Sequence, residues 1–171
     1  MPQIKIREWN EKPRTKLRFI KIGDIFCYQF SEEMFVFGQI LGKVNVGHVI
    51  QFFDIFQASP TITVEELSHA QFIGKPIIID SYTLFDRSPV WSWQIIGHQV
   101  DFDPSPFKDL AFKWGDPNGP QFGKVWLDGR TEPKIFSREE VEDLDWEACV
   151  GSIVYNRILE EELASRGNKG V

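Results

Sequence analysis

The stretch Ile25-Phe26-Cys27-Tyr28-Gln29-Phe30 alternates with a period of two, so Phe26, Tyr28 and Phe30 share one face and Ile25, Cys27 and Gln29 the other. That period selects a pleated strand. After the polar turn Ser31-Glu32-Glu33 the pattern returns in Met34 to Leu41, which predicts a hairpin. Val49 to Phe56 reads as a third, nearly all-apolar strand, entered through the turn around Asn45 and Gly47. Ile77 to Asp80 and Trp91 to Ile96 add two more strands. Phe122 to Leu127 adds another, after the turn-rich Asp116-Pro117-Asn118-Gly119-Pro120. Short strands with frequent turns predict a bent antiparallel sheet or a partly open barrel, built mainly between Leu17 and Leu127.

Helices are fewer and their starts are chemically marked. Thr63-Val64-Glu65-Glu66 and Ser137-Arg138-Glu139-Glu140 are both S/T-x-x-E capping boxes, and each predicts a short helix. Ser152 to Ser165 predicts a longer one that ends near Gly167 and docks on the sheet through Val154, Ile158 and the row Tyr155, Leu159, Leu163. The fold class expected is therefore α+β. Asp101 to Asn118 reads as an extended connection, and with no repeat and no long linker the whole of 1–171 is expected to form one domain. Residues 1–16 would be a basic arm and residues 166–171 a frayed tail.

The charge is segregated along the chain. Overall there are 25 acidic and 19 basic residues, net −6, with a pI near 5.1. A domain of this size buries about 70% of its unfolded surface, so neither disulfides nor metals are required. A chain this acidic is a poor general binder of phosphate backbones, and its favoured partners should be basic. Yet Lys5, Arg7, Lys12, Arg14, Lys16, Arg18 and Lys21 outnumber three carboxylates in the first thirty residues. From Glu132 to Glu162 ten acids face three cations. Either the basic arm pairs internally with the acidic end, or an acidic face is left for a partner.

A search for chemistry comes out mostly negative. His48, His69 and His98 stand apart, without the spacing of a helix-borne metal pair. Gly42-Lys43-Val44-Asn45-Val46-Gly47 has P-loop glycine spacing, but His48-Val49 stands where Lys and Ser or Thr must grip phosphates. No GxSxG elbow occurs, and Ser152 is explained as a helix cap. Cys27 and Cys149 read as small buried hydrophobes of a reduced, cytoplasmic chain. No apolar run suits a signal peptide or a membrane span. Asp101-Phe102-Asp103 with Asp109 is the one carboxylate group in a loop. It admits three readings: a cation or acid–base site, a turn stabilised ahead of Pro104, or an acidic contact for a basic partner. Trp91, Trp93, Trp114 and Trp126 lack the cationic groove of a single-strand binder, and one of Trp91 and Trp93 must face inward.

The series Lys21-Ile22-Gly23-Asp24-Ile25-Phe26, then Phe35-Val36-Phe37-Gly38-Gln39-Ile40-Leu41-Gly42, and finally Trp146-Glu147-Ala148-Cys149-Val150-Gly151 before the last helix, resembles the immunity protein 26 family of bacterial polymorphic toxin systems. The likeness runs from about Leu17 to Leu163. Its strand and turn motifs are shared in part with SH3-like barrels, so the barrel alternative is a partly open SH3-like one. The resemblance implies an intracellular antidote that binds and blocks a cognate toxin domain, commonly a nuclease. It implies no catalytic residue, metal or cofactor, and no membrane or direct nucleic-acid partner. On that reading the toxin-binding candidates are Asp101, Asp103, Asp109 and Trp114, together with Glu139, Glu140, Glu142, Asp143 and Asp145. The loop is slightly favoured, because binding residues concentrate on long irregular connections. Two other classes stay open: a small hydrolase, after the phosphotriesterase label that some family members carry, and a non-catalytic SH3-like module binding peptides or nucleic acid.

Overall fold

The computed structural model describes residues 2–167. Its strands are β1 (Ile4–Ile6), β2 (Asp24–Ser31), β3 (Met34–Val44), β4 (Gly47–Gln57), β5 (Phe72–Ile79), β6 (Trp93–Gln99), β7 (Ala111–Gly115) and β8 (Phe122–Trp126). The helices are α1 (Val64–His69) and α2 (Ser152–Gly167). Six strands form an open sheet in the order β1-β6-β2-β3-β4-β5, every neighbouring pair antiparallel, and β7 and β8 form a second, two-stranded sheet. This is the expected α+β architecture with a bent, unclosed sheet. Bulges between Val36 and Gly38 and between Ile40 and Gly42 supply the bend, because an extra residue on one strand raises its local twist.

The central strands read as nearly all-apolar because both faces of the sheet are covered. Phe26 and Tyr28 of β2 enter one core with Trp93, Phe52, Tyr155 and Leu159, while Ile25 and Cys27 enter another with Phe37, Phe53 and Leu67. The first core is organised on Trp93, which stacks on Tyr28 at 4.4 Å between centroids and on Phe26 at 5.2 Å. The edges of Phe85 and Tyr155 close around it. Helix α2 thus caps one face and α1 the other. The small sheet covers one end, where Phe112 and Val125 pack on Leu41, Val49 and Ile78.

Some elements depart from expectation. The Thr63 capping box forms in full and opens α1. The Ser137 box also closes its two hydrogen bonds, Ser137 N–H to Glu140 and Glu140 N–H to Ser137 Oγ, but yields only a single 3₁₀ turn at Glu139–Val141. Only Val141 of that turn is buried, which is too little apolar surface to propagate a helix. The segment from Asp101 to Asn118 is no plain connection: it holds a 3₁₀ turn at Ser105–Phe107 and all of β7. In β6 the strand starts at Trp93, because Trp91 takes a positive φ of 50°. Within the basic arm, Ile4–Ile6 pairs with β6. Of the expected frayed tail, Arg166 and Gly167 belong to α2, and the rest lies outside the described residues.

Asp86 clasps the chain ahead of β2. The 3₁₀ turn Leu17–Phe19 packs on a π-helical turn at Tyr82–Asp86. There the Asp86 carboxylate accepts from Leu17 N–H at 3.0 Å and from Arg14 Nη2 at 2.7 Å. The Leu17 N–H, then the Arg14 guanidinium, hold this carboxyl below its ordinary value. A depressed folded-state pKa contributes stability that is present above the unfolded value and lost as pH falls through the folded one. Asp86→Asn should therefore lower the urea midpoint at neutral pH, and the gap to the parent should narrow on acidification below about pH 4. A gap that stays constant with pH would show that the carboxylate's charge plays no part.

Candidate functional site

The motifs around Gly23 and Cys149 build structure, and of the two cysteines expected to be buried Cys27 is, whereas Cys149 is exposed because its segment lies along the edge of the sheet. Gly23, at φ 89°, donates to Ile40 O and accepts from Gln99 N–H, and a Cβ there would meet the Gln99 carbonyl. Asp24 accepts from Lys21 N–H at 2.8 Å and meets His98 Nδ1 at 2.9 Å. Burial raises its pKa, against the pull of those two partners. At the other end of the chain, Val150 N–H bonds Ile78 O and Cys149 Sγ lies 3.1 Å from Val46 O, so this motif stitches the C-terminal segment to the edge of β5 and to the β3–β4 turn.

That stitching completes a third row beside β7. Lys113 N–H donates to Asp145 O and Glu147 N–H to Lys113 O, both at 2.8 Å, in a parallel bridge of Lys113 with Trp146. Lys113 Nζ then reaches Val141 O at 3.1 Å and Glu142 O at 3.3 Å, and lies 5.3 Å from the Trp146 ring centroid. One lysine thus fixes the acidic segment by its carbonyls. Among the described residues, Glu139, Glu142 and Asp143 have no ion-pair partner, whereas Glu140 pairs with Lys134 and Asp145 with Lys75. Glu139 is held below its ordinary pKa by its own N–H and the Ser137 hydroxyl, Glu140 by Lys134 and Ser137 N–H, so both stay charged.

Trp146 flanks this acidic segment through Lys113, whereas Trp114, the next residue on β7, points to the opposite face of the strand. Trp114 is 48% exposed, with its indole against Gly123, where a Cβ would collide with the ring. Trp146 is 38% exposed, on the rim of a cavity of about 270 Å³ whose walls include Ile77, Ile78, Phe112, Val150 and Val154. The candidates of the 101–109 segment lie apart from this. Asp101 accepts from Gln3 N–H beside β1, Asp103 caps Ser105, and Asp109 is exposed. Asp103 borders a different pocket, together with Lys108 and Arg130, so the charge there is mixed. The preference for this loop rested on a long irregular connection, and β7 removes that ground. Lys113, Trp146 and the cavity were missed as site features. Trp146 stood in a quoted motif, but nothing in the sequence pairs it with β7.

No N-terminal cation pairs with the acidic end among the described residues; Arg14 of the arm pairs with Asp86, and the acidic end takes Lys75, Lys134 and Arg166 instead, which leaves it only partly neutralised. The same residues hold no cluster of three or more potential metal ligands. Two Ser–His contacts resemble a nucleophile and its base: Ser68 Oγ and His69 Nδ1, 3.2 Å apart on α1, are both taken up by the Glu65 carbonyl, while His48 Nδ1 and Ser81 Oγ stand 2.9 Å apart in the interior. His48 and Ser81 are each 1% exposed, and burial with Lys43 nearby pushes His48 down to about 4. A neutral imidazole closed off from solvent ties β4 to the end of β5. No helix among the described residues is long and apolar enough to cross a membrane. A family model described as immunity protein 26 matches residues 21–123, more than half of the chain. No curated protein and no solved structure matches it.

Proposed function

The chain belongs to the immunity protein 26 family, and from that premise we propose that it is a cytoplasmic bacterial antidote that neutralises a cognate toxin domain by stoichiometric binding. The contact is the face made by β7 and the segment from Glu139 to Glu147, and it meets a basic toxin surface. The observation that carries this reading is the set of unpaired carboxylates Glu139, Glu142 and Asp143 on a segment fixed by Lys113 beside the part-exposed Trp146, with the half-exposed Trp114 on the other face of the same strand. Such a face steers a cationic partner by charge and holds it by its aromatic centre. A toxin acting on nucleic acid carries the basic surface this face requires, so a nuclease is the toxin class we favour. The hydrolase reading has the buried Ser81–His48 pair and the exposed Ser68–His69 pair to rest on, the first closed off from solvent and the second held by the Glu65 carbonyl.

The test uses the toxin domain encoded in the neighbouring reading frame, co-expressed with this chain and then titrated against it. The parent should protect cells and bind at one to one. Changing Glu139, Glu142 and Asp143 together to Lys should slow association about tenfold or more and flatten its salt dependence without altering the melt. The matching change at Asp101, Asp103 and Asp109 should leave both unaffected. If the first triple associates at the parent's rate and salt slope, the acidic face is not the contact.

A further inference from the structure

A second surface, of opposite charge, lies on the side clasped by Asp86. Leu17 of the 3₁₀ turn, Val46 of the β3–β4 turn and Tyr82 of the π-helical turn line a small cavity of about 80 Å³, with Lys43 at its edge. Three large apolar side chains stand in water here: Phe19 at 49%, Val46 at 47% and Tyr82 at 45%. Cations frame them. Arg18 and Lys12 lie 4.8 Å and 5.9 Å from the Phe19 centroid, Arg87 lies 5.4 Å from that of Tyr82 and donates to its hydroxyl, and Lys16 and Lys43 are exposed. None of these five cations has a carboxylate partner among the described residues. Asp86 is paired with Arg14, while Asp80, bonded by the Thr83 hydroxyl and N–H, is the one carboxylate that lines the cavity and is far from Lys16 and Arg18 in sequence.

We propose that this surface docks an acidic segment of a partner protein, whose carboxylates meet Lys16, Arg18 and Lys43 while an aliphatic side chain enters the cavity between Leu17, Val46 and Tyr82. A protein segment suits the site better than a nucleic acid for three reasons. The cavity admits a branched aliphatic side chain and is too small for a nucleobase. The rings of Phe19 and Tyr82 already carry cations, so they offer no free pair of faces for base stacking. An extended polyanion would also meet the repulsion of a chain whose net charge is −6. The exposed apolar trio gives the contact a centre that charge alone lacks, and the unpaired cations give it a rim. This inference is independent of the immunity reading, since it uses none of the same residues.

The probe is a short fluorescein-labelled peptide of alternating Glu and Leu, titrated into the full chain and followed by anisotropy. The comparators are a Glu–Ser peptide of the same length and charge, and oligo(dT). The Glu–Leu peptide should bind, and the Glu–Ser peptide should bind about tenfold more weakly. Changing Lys16, Arg18 and Lys43 together to Glu should weaken the Glu–Leu complex about tenfold or more. Val46→Asp, a single exposed change that stands in should the triple variant misfold, should weaken it to a similar extent. Absence of binding by the Glu–Leu peptide overturns the proposal. Equal binding of the Glu–Ser peptide would reduce it to unspecific charge attraction, and tighter binding of oligo(dT) would make the surface a nucleic-acid site instead.

Discussion

Leu159→Asp is expected to abolish the native fold, giving a chain with no sharp urea transition and no near-ultraviolet signal from its buried Trp93. Leu159 is fully buried in the core that α2 shares with Ile73, Ile77, Trp93 and Tyr155. Removing such a side chain costs roughly 2–5 kcal/mol through lost transfer and the cavity left behind. Leaving a carboxylate there without a partner adds several more, unless it takes up a proton. Together these approach the whole of an ordinary domain's stability, about 5–15 kcal/mol. Ile153→Asp is the internal control: it lies in the first turn of the same helix but is 78% exposed, and should melt with the parent. If Leu159→Asp also melted with the parent, α2 would not be holding that core.

What could be read in the sequence was whatever repeats locally. The alternation of Phe26, Tyr28 and Phe30 with Ile25 and Cys27 is a property of the pleat, and the stripe of Tyr155 and Leu159 a property of the helix, so both elements stand where expected. The Thr63 box was legible because all its hydrogen bonds lie within four residues. Strand β1 has three residues, too few to show a period, and it exists only by pairing with β6 more than ninety positions away. Strand β7 has five, bounded by Pro106 and Pro117, and depends on β8 and on Trp146. The acidic character of the site was plain in composition, but not which carboxylates are free. Lys75 claims Asp145 from 70 positions away, and Lys113 spends its charge on the carbonyls of Val141 and Glu142. The cavity is least legible of all, because β5, β7 and α2 each contribute only part of its wall.

Trp114→Ala is expected to weaken toxin binding by about 2–4 kcal/mol, roughly 30- to 1000-fold in Kd, while leaving the melt unchanged. Two features of its setting separate affinity from stability. The ring is half exposed and rests on Gly123, so truncation removes surface contact without opening a hole in the core. The bare backbone of Gly123 also gives the indole a flat seat, which lowers the ordering cost that a freely rotating side chain would meet on binding. The loss should therefore appear in the dissociation rate, with association nearly unchanged, the reverse of what charge reversal at Glu139, Glu142 and Asp143 should do. Gly123→Ala sharpens the test, because the added methyl displaces the ring while the tryptophan itself remains. It should reproduce part of the same increase in dissociation rate. Were both variants to release the toxin at the parent's rate while the charge reversals still slowed its arrival, steering would belong to this face. The anchor would then have to be Trp146 at the mouth of the cavity.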